Sequence, residues 1–165
     1  MPAIMEQTTV DQCETPEPTA IFDREGRLIT AEVIVSWDSI EDKLIVQAPI
    51  IDIPGPGTED EPSPWTVLWK LMPDCSTIQL ATFNSSSQGV IIPGPTSVLP
   101  LGVSLLESEP GETPDQWRVL IENKARSLSS FNYDLAITGT LISADIKHHR
   151  DHDPTIVVTP DPIGG

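Results

Sequence analysis

The chain has 165 residues, a formal net charge of −16 and a hydrophobic fraction of 38 %. This length suits a single domain. The negative charge repels nucleic-acid phosphates and anionic lipid headgroups, so nucleic acid is not an expected partner. No uninterrupted apolar run is long enough to form an integral membrane segment.

Residues 1–20 are polar, acidic and proline-bearing, so the sequence predicts a flexible acidic arm there. This segment lacks the basic and apolar regions of a secretory signal peptide, which favours the cytoplasm and leaves export by a leaderless route open. Cys13 lies in the arm, and we therefore expect no structural disulfide with Cys75.

The first predicted strands follow the arm. Residues 21–27 begin with a short edge strand and turn at residues 25–26, and residues 32–37 are rich in β-branched side chains, which is typical of a strand. Residues 43–53 alternate like a half-buried strand that pairs with the previous one in a hairpin. The side chains expected on its inner face are Leu44, Val46, Ala48 and Ile50.

Residues 54–64 combine proline, glycine and carboxylates, a composition typical of a long loop. Residues 65–71 are predicted to form a strand, because every second side chain shares one face. Residues 78–83 are predicted to form another strand, with Ile78, Leu80 and Ala81 inward. The inner face of the earlier strand is expected to hold Trp65, Val67, Trp69 and Leu71.

Residues 89–106 carry no charge and are interrupted by proline and glycine, which rules out one long helix and favours two short strands around a turn at residues 92–95. They are followed by an acidic loop at residues 108–115 and a strand at residues 117–123. Residues 124–130 are a predicted polar turn.

The longest predicted strand covers residues 131–142, with a bulge at Gly139. Residues 145–153 are a predicted charged loop, residues 154–158 a closing strand and residues 160–165 a tail. The side chains that alternate inward along the long strand are Phe131, Tyr133, Leu135 and Ile137.

Many short strands separated by turns, without helical periodicity, predict an all-β domain over residues 21–159. An antiparallel β-sandwich of about 7–9 strands is the expected architecture, and a small barrel is the alternative.

Four segments resemble small bacterial immunoglobulin-like sandwich proteins. They are an aromatic strand at residues 65–69, a glycine-led strand at residues 89–92, a Phe-x-Tyr-x-Leu strand starting at Phe131 and an Asp-Pro-x-Ile strand starting at Asp153. The resemblance covers residues 30–160 and implies an immunoglobulin-like fold without implying an activity. The chain lacks the Cys-Trp-Cys pattern of antibody domains.

The three histidines fall within five residues, at His148, His149 and His152. Imidazoles at this spacing, beside carboxylates, are ligands that suit Zn²⁺ or Cu²⁺, so a divalent metal site is one hypothesis. If the segment made one helical turn, His148 and His152 would share a face while His149 pointed elsewhere. A hydrophilic loop without metal is the alternative, and no other cofactor is expected.

The tryptophans and the acidic loops are the candidate binding residues. An exposed tryptophan beside polar loops is typical of a binding face, and Trp65 is the strongest candidate for exposure. Burial in the core is the alternative. The predicted binding set joins two tryptophans to three loop carboxylates: Trp65, Trp69, Glu59, Asp60 and Glu61.

No nucleophile elbow, catalytic triad or phosphate-binding loop occurs, so we expect no enzymatic activity. The leading hypothesis is a protein-binding or assembly module that engages another protein or a copy of itself through an edge strand or a loop end. Alternatives are an acidic charge mimic that inhibits a basic cleft through residues 52–61 and 107–115, a metal-binding protein and a membrane-damaging β protein.

Overall fold

Strands make up the architecture, as the alternating apolar pattern predicts. The computed structural model describes residues 17–38, 40–55, 64–73, 78–83, 89–94, 98–141, 145–150 and 154–158, and these residues contain no helix. They form 13 strands, more than the 7–9 expected. Two predicted strands divide, and β12 forms in a segment that was predicted to be a loop. In chain order the strands are β1 (Thr19–Asp23), β2 (Leu28–Asp38), β3 (Lys43–Gln47), β4 (Ile51–Ile53), β5 (Trp65–Pro73), β6 (Ile78–Phe83), β7 (Val90–Ile91), β8 (Val103–Pro110), β9 (Gln116–Asn123), β10 (Ser129–Asn132), β11 (Asp134–Leu141), β12 (Asp145–Arg150) and β13 (Thr155–Val158).

The largest sheet has six strands, five of which have the order β1-β2-β5-β9-β8. β1 pairs with the first half of β2, and the sixth strand, β3, pairs with the second half of β2. β2 and β5 run parallel, and the other pairs in this sheet are antiparallel, so the prediction of a wholly antiparallel arrangement is wrong. The predicted hairpin is confirmed as β2–β3. Asp38 stabilises its turn, because the carboxylate Oδ1 accepts hydrogen bonds from the backbone N of Ile40 and Glu41.

Two smaller sheets complete the described structure. One has the order β10-β13-β4, in which β13 and β4 run parallel, and the other has the order β12-β11-β6, with β7 also paired to β11. The closing strand is confirmed as β13. The register of β11 on β12 shifts between Ile137 and Gly139, where a bulge was predicted, but the extra residue lies in β12, since two steps along β11 match three along β12.

The core lies between the six-stranded sheet and the smaller sheets. The predicted inner face of β5 is confirmed, since all four of its alternating side chains are buried. Trp69 packs against Tyr133 with 5.3 Å between ring centroids, and Phe83 packs against Trp117 at 6.1 Å. Buried side chains from all three sheets belong to one continuous hydrophobic cluster.

The prediction of one strand over residues 43–53 is wrong. β3 ends at Gln47 and β4 begins at Ile51, and the two strands belong to different sheets. Pro49, which has no backbone N–H to donate, lies in the break. The inward face changes across it, so Ile50 is 69 % exposed whereas Ile51 and Ile53 are buried.

The predicted strand at residues 78–83 is confirmed as β6, but its inner face is not the predicted one. Ile78 and Ala81 are buried, whereas Leu80 is 55 % exposed. The register against β11 shifts between Ile78 and Leu80, which is a bulge on β6. A bulge adds one residue to the strand and changes the face of those before it.

Residues 131–142 do not form one strand. Tyr133 separates β10 from β11, and its backbone N donates to the Pro154 carbonyl at 3.0 Å. β10 pairs with β13, whereas β11 pairs with β6, β7 and β12. The predicted side chains still point inward, because Phe131, Tyr133, Leu135 and Ile137 are all buried.

Two predicted loops contain strands instead. The acidic loop at residues 108–115 is wrong in its first part, since β8 continues to Pro110. The charged loop at residues 145–153 is wrong for residues 145–150, which form β12. Both segments are polar, and their pairing with β9 and β11 overrides their weak intrinsic preference for strand.

The structure tests the predicted arm and tail only in part. β1 begins at Thr19, so the last two residues of the predicted arm belong to the first strand. Residues 1–16 and 159–165 lie outside the described residues, as do Cys13 and Cys75.

Gly102 connects the loop before β8 to the loop after β9. Its φ is +92°, and a Cβ built there would lie 2.8 Å from the Lys124 carbonyl oxygen. Because that neighbour is backbone, Gly102→Ala is expected to lower the free energy of unfolding by about 1–2 kcal/mol. Urea denaturation measures this loss. In the matched control Gly26→Ala, the Cβ meets the end of the flexible Asp23 side chain, and equal losses would contradict the argument.

Candidate functional site

The two tryptophans of the predicted binding set are buried, so the predicted exposure of Trp65 is wrong and its alternative, burial in the core, holds. Trp65 is 4 % exposed and Trp69 is fully buried, because both lie on the inner face of β5. Phe22 packs edge-on against Trp65 at 6.1 Å, and the Arg27 guanidinium lies 5.8 Å from the same ring. Neither ring offers a free face for stacking on a partner.

The described part of the predicted metal site does not have the expected geometry. His148 and His149 are consecutive residues of β12, where His149 is in register with Ile137, so no helical turn begins there. His152 lies outside the described residues. Within the described residues, no group of three His, Cys, Asp or Glu side chains is placed to hold a metal ion. A metal site at all three histidines stays a prediction.

The first acidic segment lies near the Asn123 end of β9, and the second extends from Glu107, opposite Leu120, to the turn at Gln116. Ile53 is next to Asn123, whose side-chain Nδ2 donates to the Ile53 carbonyl at 3.0 Å, whereas Gly111 is next to Gln116. The seven residue steps between these ends of β9 correspond to about 23 Å. Glu59, Asp60 and Glu61 lie outside the described residues. Glu112, next to Gln116, is therefore about 23 Å from the Asn123 end of β9, whereas Glu107, opposite Leu120, is only three residue steps, about 10 Å, from that end.

Asp52 is the described carboxylate of the first acidic segment, and it lies on β4. Although most of its side chain is exposed, partial burial raises the pKa of the Asp52 carboxyl group above the ordinary value. This carboxylate therefore becomes protonated at a higher pH than a fully solvated aspartate.

The second acidic segment ends in a turn that is held by its own hydrogen bonds. The backbone N of Gly111 donates to the Gln116 carbonyl, and the backbone N of Gln116 donates to the Thr113 carbonyl, both at 3.0 Å. Side chains add two more bonds, from Glu112 N to Gln116 Oε1 at 3.3 Å and from the Thr113 hydroxyl to Asp115. The turn presents its carboxylates from an ordered backbone, which limits the entropy lost on binding.

The same turn is attached to two of the sheets. The Asp115 carbonyl accepts a hydrogen bond from Leu71 N at 2.9 Å, and the Pro114 carbonyl accepts one from Phe83 N at 2.8 Å. Leu71 belongs to the six-stranded sheet and Phe83 belongs to a smaller sheet. We call residues 111–115 the acidic turn. These hydrogen bonds fix the acidic turn relative to the core.

A groove runs over the outer face of the six-stranded sheet beside this turn. A cavity of about 570 Å³ extends from Gly26 in the first hairpin turn to Glu112 in the acidic turn, and a second of about 230 Å³ adjoins it at Thr66, Glu109 and Arg118. Sites for small ligands and peptide side chains are typically about 300–1,000 Å³. We call this groove the acidic groove. Its floor is formed by Leu28, Thr66, Leu68 and Leu120, and its acidic rim is formed by Glu107, Glu109 and Glu112.

One cation lies within the acidic groove. Arg118 is directly opposite Glu109 in the register of β9 and β8, and its guanidinium forms an ion pair with that carboxylate. The hydrogen bond to Glu109 is the main cause of the raised pKa of Arg118, and the charges of Glu107 and Glu112 add to it. Both partners are about half exposed, so water screens the pair. With Glu109 neutralised in this way, Glu107 and Glu112 give the groove its net negative charge.

The sequence pattern did not identify this groove. Its floor comes from the outward residues of β2, β5 and β9, which are partly exposed and alternate with the core residues. Only the pairing of these strands brings Leu28, Leu68 and Glu109 to one surface. The available signal was that outward positions 28, 68 and 120 hold leucine where a solvated face usually holds polar side chains.

The fold and the groove define the class to which the chain belongs: an all-β protein with several sheets around one core and an acidic groove on its largest sheet. No model of a known protein family matches this chain, and a search of curated proteins finds no significant match. In the part of the chain that the structure describes, no helix is long and apolar enough to cross a membrane.

Proposed function

We propose that this protein is a non-enzymatic binding module that uses the acidic groove to bind a cationic segment of another protein chain. The architecture we propose for it is an immunoglobulin-like β-sandwich. The continuous core between the six-stranded sheet and the smaller sheets supports two layers, whereas the parallel pairs β2–β5 and β4–β13 depart from an all-antiparallel arrangement. The cytoplasm stays an expectation from the sequence.

The observation that carries the proposal is the combination of leucine and carboxylate in one groove. Leu28, Leu68 and Leu120 provide an apolar floor, and Glu107 and Glu112 provide exposed negative charge beside it. A segment that alternates apolar and basic side chains matches both features. Its apolar side chains would lose contact with water on the floor, while its ammonium or guanidinium groups remained at the rim.

A binding role suits this groove better than a catalytic one. The groove lies on the face of a sheet, and its rim residues Glu107, Glu112 and Arg118 are exposed to solvent. Chemistry that depends on electrostatic stabilisation gains most in a site from which water is excluded. Recognition of a charged partner works at a solvated rim, where it mainly sets specificity and the rate of association.

The test uses an eight-residue peptide of alternating lysine and leucine, with glutamate in place of lysine in the control peptide. We expect the lysine peptide to bind in 0.15 M salt and the glutamate peptide not to bind, as measured by fluorescence anisotropy. Replacing Glu107 and Glu112 with glutamine should raise the Kd about 5–30-fold, since each charge contributes about 0.5–1 kcal/mol at a solvated rim.

The matched control changes the same number of charges away from the groove. Glu17→Gln with Glu41→Gln alters two exposed carboxylates that do not line either cavity of the groove. We expect this variant to bind the lysine peptide as the unchanged chain does. If both double variants lose the same affinity, net charge alone attracts the peptide and the groove is not the site.

A further inference from the structure

The described region that matches the acidic groove most closely in chemistry is at the other end of the β8–β9 hairpin. Two loops meet there, because Lys124 N donates to the Gly102 carbonyl at 2.8 Å and Val103 N donates to the Pro100 carbonyl at 3.1 Å. We call residues 98–102 together with residues 124–128 the loop pair. It is about 23 Å from the acidic turn along β9.

The loop pair combines exposed apolar side chains with cations. Leu101 is 97 % exposed, and Val98 and Leu128 are exposed as well. Lys124 and Arg126 are exposed on the second loop, and neither segment of the loop pair contains an acidic residue. The Glu122 carboxylate lies 3.6 Å from Lys124 Nζ and offsets part of the positive charge of Lys124. The positive charge of Arg126 is less compensated.

The backbone of the loop pair is fixed to the core. Asn123 is buried, its Oδ1 accepts a hydrogen bond from Ala125 N at 2.9 Å, and its Nδ2 binds the Ile53 carbonyl. Ala125 is itself buried between the exposed Lys124 and Arg126. The cations and leucines are therefore displayed from an ordered backbone, which reduces the entropy cost of binding.

We propose that the partner of the acidic groove is the loop pair of a second copy of this chain. This inference rests on the proposed function, because it names the partner of the same groove. Arg126 and Lys124 of one copy would face Glu107 and Glu112 of the next, and exposed leucines would cover the leucine floor.

The proposed contact joins different surfaces of the two copies. A contact of this kind leaves one free groove and one free loop pair at the ends of every assembly, so copies add head to tail into chains or rings. The net charge of −16 opposes association at long range. At 0.15 M salt the screening length is about 8 Å, which suppresses repulsion between distant charges more than attraction within the contact.

The test is a charge exchange measured by light scattering during size-exclusion chromatography at several protein concentrations. We expect the mass of the unchanged chain to rise with concentration. Lys124→Glu with Arg126→Glu, and separately Glu107→Lys with Glu112→Lys, should each raise the concentration needed for association at least about tenfold. Mixing these two variants should restore association, because each then provides the charge that the other lacks.

The control Glu17→Lys with Glu41→Lys changes the net charge as much as the groove variant and should associate like the unchanged chain. A chain that stays monomeric at every concentration but still binds the lysine peptide would overturn self-association and leave the proposed function standing. Failure in both experiments would overturn both. Association that survives both charge reversals would overturn the proposed contact. A monomer whose loop pair binds vesicles of phosphatidylserine through Leu101 and Leu128 would overturn it as well.

Discussion

Replacing Trp69 with alanine is expected to lower the free energy of unfolding by about 3–5 kcal/mol, the range for deleting a fully buried large aromatic side chain. Trp69 is fully buried on β5 and packs on Tyr133. This contact connects the six-stranded sheet to the smaller sheets. Among the described residues its indole Nε1 has no hydrogen-bond partner, so we attribute its contribution to apolar packing. Urea denaturation followed by far-UV circular dichroism measures the loss.

Trp37→Ala is the matched control for this prediction. Trp37 lies near the end of β2 and is only partly buried, so its removal leaves less of a cavity. We expect a loss below about 2 kcal/mol for this variant. If the two variants lose the same stability, the contact between Trp69 and Tyr133 is not central to the packing of the two layers.

The second large effect is expected from Asn123→Ala. The Asn123 side chain connects β9 to β4, which belong to different sheets, through the Ile53 carbonyl, and it also accepts from Ala125 N. All three residues are buried. Alanine would leave a buried carbonyl and a buried N–H without these bonds, at a cost of about 1–3 kcal/mol for each group. We expect the free energy of unfolding to fall by about 2–6 kcal/mol in total.

Hydrogen exchange distinguishes this mechanism from a general loss of stability. The Ala125 amide should exchange faster in Asn123→Ala than the amides of the β5–β9 ladder do. Asn132→Ala is the matched control, since Asn132 is only partly buried and its Nδ2 makes longer bonds, of 3.4 Å to the Pro154 carbonyl and 3.3 Å to Thr155. A loss in the control as large as that at Asn123 would contradict the role given to the link between sheets.

The Asn123 prediction concerns a residue that keeps one end of the β8–β9 hairpin in place. Asn123 orders the loop pair, and the acidic turn at the opposite end bonds to Leu71 and Phe83. A binding module benefits from this arrangement, because surfaces that are ordered before binding lose less entropy when a partner arrives.

Side-chain alternation predicted the strands well wherever one face of a strand meets the core along its whole length. β5 is the clearest example, with buried residues at every second position from Trp65 to Leu71. Its two tryptophans were also predicted as binding residues, and their burial contradicts the exposure expected of Trp65. Tryptophans at alternating positions are compatible with a buried face and with an exposed binding face. Only packing by another part of the chain decides between the two, as Tyr133 packs on the ring of Trp69.

The predictions failed where a segment changes sheet or register. Ile50 is exposed because the chain leaves one sheet after Gln47 and enters another at Ile51, and Leu80 is exposed because β6 has a bulge. A single-residue slip moves side chains to the opposite face of a strand. Pro49 is a local signal for the break after Gln47, whereas the slip in β6 has none, since its partner strand β11 is more than fifty residues away.

By itself, the sequence determined that this protein is built from strands, which residues form most of them, and that its surface is strongly acidic, since these properties follow from local alternation and composition. Tertiary structure alone decided which strands are neighbours, and with them the acidic groove and the loop pair. Leu28, Leu68, Leu120 and Glu107 are far apart in the chain and become one surface only when β2, β5, β9 and β8 pair side by side. The physical reason is that backbone hydrogen bonds between strands form regardless of the distance along the chain, whereas periodicity reports only on each strand alone.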